Sequence, residues 1–219
     1  MATSNQLPYT CSWSGGKDSC LALHRAVGRY GAPQALINML SEDGEHSRSH
    51  GLSRAILQAQ ADAIGVPILF GSATWEGYET AFIDLLKSAV ALDARACVFG
   101  DINLDAHREW EERVCESAGL QAMLPLWEED HDALMREFLD AGFRAIIVTL
   151  DTERVPEHCL GRELDAALLS EFAAQDIDVC GEAGEFHTLV IDGPIFSTPV
   201  TVGQGKPIRM GKYAVLDLG

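Results

Sequence analysis

Ser14-Gly15-Gly16-Lys17-Asp18-Ser19 joins an apolar stretch of strand character, Leu7 to Trp13, to a helical stretch paced by Leu21, Leu23, His24 and Val27. Strand, glycine turn and helix in that order make a phosphate-binding turn. The glycines let the backbone bend sharply and bring its N–H groups to an anion. A helix beginning near Lys17 aims the positive end of its dipole into the same space. Ser14 and Ser19 add hydroxyls and Lys17 a point charge, so the site suits a phosphate chain.

The run is not a Walker A loop, which has four residues between its glycines and Ser or Thr directly after Lys. Here the glycines adjoin and Asp18 separates Lys17 from Ser19. This order resembles the signature of the PP-loop ATP pyrophosphatases, enzymes that cleave ATP between its α and β phosphates.

Outward from the turn, short apolar runs alternate with amphipathic stretches. The pattern predicts strands at Tyr9–Trp13, Ala35–Leu40, Val66–Phe70, Ala96–Gly100 and Ala145–Leu150. Helices are predicted near Lys17–Tyr30, Ser53–Ile64, Glu79–Ala91, Ala106–Ala118, His131–Ala141 and Gly161–Ala173. Such alternation implies βαβ units and a mainly parallel sheet covered on both faces, an α/β fold; the resemblance at Ser14–Ser19 implies that it is of the PP-loop/HUP-like nucleotide-binding kind. Ligands of these sheets bind beyond the carboxyl ends of the strands, where Ser14 and Asp101 fall. After Ile177 the chain becomes Gly- and Pro-rich with short β-like pieces, Phe186–Ile191, Val200–Val202 and Tyr213–Leu218. The expected division is residues 1–122 as the ATP-binding domain and 123–219 as a smaller, substrate-side α/β lobe.

Composition narrows the partners. The chain has 219 residues, 47% of them hydrophobic, enough for an ample core. No apolar run nears the roughly 20 residues that cross a bilayer, and Met1 to Gln6 lacks the basic-then-apolar pattern of a signal peptide. A cytoplasmic protein is expected. The six cysteines contain no Cys-x-x-Cys pair, which argues against the usual zinc spacing and against sulfur transfer. A formal net charge of −17 repels a phosphate backbone, and Lys206, Arg209 and Lys212 are too sparse to reverse that.

Three further places carry candidate chemistry. Gly100-Asp101 ends a buried run, where a carboxylate can hold Mg²⁺ or simply cap a turn. Gly181-Glu182-Ala183-Gly184-Glu185 sets two acids three residues apart among small neighbours, so both could converge on one metal or amine. His50-Gly51 closes the polar loop Ser41–Ser49, of a length often given to function. Trp110 and Val114 are expected in the core, beside Asp105/Arg108 and Glu109/Arg113 pairs at helical spacing.

Taken in order, Ser14–Ser19, His50-Gly51, Gly100-Asp101-Ile102, His107-Arg108-Glu109-Trp110, Pro125-Leu126-Trp127, Gly142-Phe143, Leu160-Gly161-Arg162, Cys180–Phe186 and Asp192–Phe196 resemble the diphthine–ammonia ligase family over nearly the whole chain. The resemblance implies an ATP- and Mg²⁺-dependent amide-forming ligase. A carboxylate is adenylated, pyrophosphate leaves, ammonia attacks, and amide and AMP result. It further implies Lys17, Asp101, Glu182 and Glu185 as catalytic residues. Ser14, Gly15, Gly16, Lys17, Asp18, Ser19, His50 and Gly100 would bind nucleotide, and Asp101 and Glu182 the metal. The implied acceptor is diphthine on elongation factor 2, or a small molecule, and a homodimer is compatible with the reading. Ala183 stands where the family has glycine, so a positive φ there would be strained. A non-catalytic ATP/AMP-binding module and a PP-loop tRNA-modifying enzyme stay open as alternatives.

Overall fold

The computed structural model describes residues 7–48 and 50–219; the expected non-signal start Met1–Gln6 and the loop end Ser49 lie outside the described residues. Five parallel strands form the first sheet: β1 (Tyr9–Ser12), β2 (Ala35–Leu40), β3 (Ile68–Ser72), β4 (Ala96–Val98) and β5 (Gln121–Met123), in the order β3-β2-β1-β4-β5. Between them run α1 (Lys17–Tyr30), α2 (Arg54–Ile64), α3 (Tyr78–Val90) and α4 (Asp105–Ala118). Strand β2 shows why both faces are covered. Its side chains alternate, with Leu36 and Leu40 packing into the core beside α1 and α2, and Ile37 and Met39 meeting Phe82, Leu86 and Val114 of α3 and α4.

The remainder builds a second, antiparallel sheet. It holds β6 (Arg144–Asp151), β7 (Phe186–Asp192), β8 (Lys206–Met210) and β9 (Tyr213–Asp217), ordered β7-β6-β9-β8, with α5 (His131–Asp140) and α6 (Ala166–Ala174). The run at 145–150 therefore does not extend the parallel sheet. A buried apolar run looks the same in either kind of sheet, and periodicity cannot separate them. Helix α6 begins five residues later than its pattern suggests. Gly161 and Leu164 donate to Ile147 and Ala145 of β6 at 2.8 Å each, and Asp165 caps the helix by accepting from Leu168 N–H at 2.7 Å. Val200–Val202 forms no strand, although Val200 N–H bonds Ile191 O at 2.7 Å.

One buried side chain fastens the two sheets behind the phosphate turn. Gln60 of α2 accepts from Trp13 Nε1 at 3.0 Å and donates from Nε2 to Gly15 O at 3.0 Å and Val190 O at 2.7 Å. Val190 N–H reaches Gly15 O at 2.9 Å, and Lys17 N–H donates to Thr188 Oγ1 at 3.0 Å. Strand β7 thus runs alongside the turn. Gln60→Leu removes Gln60's three bonds and strands the indole N–H and the Val190 carbonyl in the core. At about 1–3 kcal/mol per orphaned group, urea unfolding should show a loss of about 2–6 kcal/mol. A loss near zero would deny Gln60 this role.

Candidate active site

The strand order reverses between β1 and β4, and the crevice beyond their carboxyl ends is where α/β sheets take ligands. A cavity of about 470 Å³ opens there. The sheet side contributes Ser14, Lys17, Asp18, Ser19, His50, Gly100 and Asp101, and the loop before β7 contributes Glu182. The structure therefore brings together most of the residues singled out from sequence. Gly15 and Gly16 back the cavity rather than line it. Gly15 has φ +79°, and a Cβ on it would stand 2.6 Å from Gln60 Oε1; one on Gly16 would stand 2.7 Å from His50 Nε2. Gly100 lets the end of β4 touch the start of α1, since a Cβ there would lie 2.8 Å from Ser19 N and from the Asp18 carbonyl carbon.

Glu185 does not join them. It is buried, its carboxylate pairs with Arg154, and its carbonyl accepts from Asp151 N–H at 2.9 Å, so it ties the loop to β6 instead of facing Glu182. Ala183 carries no strain either, because the positive φ values of this loop fall on Gly181 (64°) and Gly184 (81°). Arg108 and Arg113 pair with Glu112 and Glu79 rather than with the acids expected.

The phosphate turn holds its donors in place. Ser14 Oγ accepts from Gly16 N–H at 3.2 Å and lies 3.0 Å from Ser19 Oγ, and hydroxyls of this kind can rotate to donate. The N–H groups of Asp18 and Ser19 in the first turn of α1 have no intrahelical partner. Lys17 is only 4% exposed, with Nζ 2.8 Å from Asp18 Oδ2 and 5.4 Å from the centre of the Phe186 ring. Burial opposes its charge, but the Asp18 carboxylate, joined by Cys180 and Glu182, outweighs this and holds the ammonium above the ordinary lysine range.

Facing Lys17 are acids that disturb one another. Burial and then the neighbouring Asp101 charge raise Asp18, although Lys17 pulls the other way; Glu182 is raised by burial and by Asp18 and Asp101. Asp101 is pushed up by burial, yet His107, whose Nδ1 lies 2.7 Å from Oδ1, brings it below the usual carboxylate range. Glu111, 3% exposed, is pushed up to about 11 by burial and by Asp101, so it is protonated at neutral pH. Repulsion of this kind is what a bound cation relieves, and the donor chemistry fits Mg²⁺. Among the described residues, neither cluster of three close His, Cys or acid donor atoms includes Asp101 or Glu182. A chain supplying two carboxylates leaves the remaining positions to phosphate and water, which is Mg²⁺'s habit.

Two imidazoles complete the wall above the turn. His50 and His187 lie with ring centres 4.7 Å apart. Burial, then the nearby His187 and Lys17, hold His50 well below the ordinary histidine range; burial and Lys17 lower His187 from 6.5 to about 4. Both are neutral at pH 7. The unfolded His187 binds a proton near pH 6.5 and the folded one only near 4, so stability is full above 6.5 and falls as pH drops through that window. His187→Gln should flatten this fall in melting temperature between pH 7 and 5. An unchanged slope would contradict the assignment.

The far wall is built from residues the sequence does not single out as a site. Trp75, Tyr78, His107, Trp110, Glu111, His187 and Thr188 all line the cavity, and Trp75 stands 73% exposed. Trp110 is thus a cavity residue, while Val114 is core as expected. A signal is present in α4 and its approach: Leu104, His107, Trp110 and Glu111 stand at i, i+3, i+6 and i+7, the spacing of one helix face, and that face looks into the cavity. No such spacing marks Trp75, which sits in a loop.

The diphthine–ammonia ligase of Schizosaccharomyces pombe is 26% identical over 218 residues, covering 90% of this chain but 36% of that protein. The chain thus spans about a third of that relative. The diphthine–ammonia ligase of Danio rerio is 27% identical over 232 residues, covering 94% of this chain and 90% of that protein. A crystal structure described as a predicted subunit of tRNA methyltransferase from Methanocaldococcus jannaschii overlays at a TM-score of 0.46 and 13% identity, over 86% of this chain and 98% of that one. That likeness is too remote to bear on function. The model of the diphthamide synthase N-terminal domain matches residues 9–122 and that of its C-terminal domain residues 130–215, so the chain belongs to the diphthamide synthase family.

Proposed function

We propose that the chain is an ATP-dependent amide-forming ligase that adenylates a carboxylate with release of pyrophosphate, after which ammonia attacks to give amide and AMP. The observation that carries this is one cavity in which the start of α1 and Lys17 face the carboxylates Asp101 and Glu182. The turn's N–H groups, Ser14, Ser19 and Lys17 hold the β and γ phosphates and stabilise the charge of departing pyrophosphate, which is electrostatic catalysis by groups fixed in advance. His50 and His187 hydrogen-bond phosphate oxygens as neutral rings. Mg²⁺, held by Asp101 and Glu182 with phosphate oxygens, would neutralise phosphate charge and orient the α-phosphorus. A mere nucleotide binder has no need of those acids, and a net charge of −17 speaks against a tRNA substrate.

Residues 1–122 would then be the ATP-binding domain and 123–219 the substrate-side lobe. The names of the relatives support diphthine as the acceptor. In that reading the carboxylate is carried by elongation factor 2 and the reaction is cytoplasmic. No helix among the described residues is long and apolar enough to cross a membrane. Mass spectrometry of diphthine-bearing elongation factor 2, incubated with the protein, Mg-ATP and ammonium, should show carboxylate converted to carboxamide. An unmodified factor, with ATP consumed on small carboxylic acids, would move the acceptor to a small molecule; no turnover with any acid would contradict the ligase.

A further inference from the structure

The loops carrying Asp101 and Glu182 come from different sheets, yet a chain of hydrogen bonds outside the cavity fixes one to the other. Asp178 Oδ1 accepts from Cys180 N–H and Oδ2 from Glu182 N–H, each at 3.0 Å, so this carboxylate shapes the turn that presents Glu182. His131, the first residue of α5, places Nδ1 2.6 Å from Asp178 Oδ1 and Nε2 3.1 Å from Asn103 Nδ2. The ring satisfies both when Nδ1 carries the proton and donates to Asp178, while Nε2 accepts from Asn103. Asn103 follows Ile102, whose N–H donates to Glu182 Oε1 at 3.1 Å and whose carbonyl accepts from Glu128 N–H at 2.7 Å. The circuit closes on the Glu182 carboxylate itself.

Donor atoms of His131, Asp178 and Cys180 lie within 4.8 Å of one another, which by spacing could suit a metal. Each is already engaged: the imidazole at both nitrogens, the carboxylate at both oxygens, and the thiol with the His131 carbonyl at 3.6 Å. The cluster is a scaffold. We infer that His131 and Asp178 are positioning residues for the cation-binding pair Asp101 and Glu182, with Asp178, held by His131 Nδ1, fixing the direction of the Glu182 carboxylate. This rests on the assignment of those two acids to the metal under Proposed function. Partners of metal ligands commonly govern affinity by about 10- to 100-fold.

The test uses Mn²⁺ as probe, with free ion read by electron paramagnetic resonance in the presence of α,β-methylene ATP, and circular dichroism to confirm folding. Asp178→Asn cannot accept two N–H bonds on opposite sides and should weaken Mn²⁺ by about tenfold or more. His131→Gln, whose amide falls near the Nε2 position, loses Asp178 and should weaken Mn²⁺ likewise. His131→Asn, whose amide falls near Nδ1, keeps that bond and should stay close to wild type. Wild-type Mn²⁺ affinity in folded His131→Gln would overturn the inference, even where Asp178→Asn does not fold. His131→Asn falling as far as His131→Gln would also overturn it, since orientation would not then pass through Asp178. Wild-type protein that binds no Mn²⁺ beside nucleotide would overturn the metal assignment itself.

Discussion

Lys17→Ala should lower ATP turnover by at least 100-fold in a protein that still folds. A charge-assisted contact to phosphate is worth about 1.5–3 kcal/mol in binding, and more where it tightens in the transition state. The sequence suggests a lysine with few core contacts. The structure shows one that is nearly buried, paired with Asp18 and lying over Phe186. Removing it therefore also leaves the Asp18 carboxylate without its counter-ion, and the melting temperature should fall. Adding Asp18→Asn should restore much of that stability without restoring turnover. A folded Lys17→Ala protein with the wild-type rate of AMP formation would remove Lys17 from the chemistry.

Glu182→Gln should have the next largest effect. The amide can still accept from Ile102 N–H, so the loop keeps its place, but the charge facing Asp101 and Asp18 is gone. Turnover should fall about 100-fold, near 2.7 kcal/mol at 1.36 kcal/mol per tenfold, and the Mg²⁺ concentration for half-maximal rate should rise. Because burial and like charges already raise Glu182, losing its charge should not destabilise the fold. A Mg²⁺ titration that overlays wild type would show that Glu182 does not meet the metal.

The legible parts of this molecule were those fixed by local chemistry. A glycine turn between strand and helix can be read directly, and so can the acids that end apolar runs, because spacing alone sets their context. The apolar run of β6 suggests a parallel strand but is silent about the direction of its neighbours, and β6 pairs antiparallel with β7 and β9. Proximity in sequence suggests that Glu185 joins Glu182, while Arg154, 31 residues away, decides where it points. Gln60 and His131 gave no signal, since a buried glutamine or a helix-start histidine acquires its role only when distant segments meet. Trp110 was readable in principle: its helix face carries His107 and Glu111 beside it, an odd company for a purely apolar core.

The most direct measurement is the identity of the products of ATP cleavage, followed by ³¹P nuclear magnetic resonance with protein, Mg-ATP, ammonium and an acceptor carboxylate. The turn at Ser14–Ser19 facing Asp101 and Glu182 predicts AMP and pyrophosphate in equal amounts, formed only when the carboxylate is present. ADP and inorganic phosphate would contradict it.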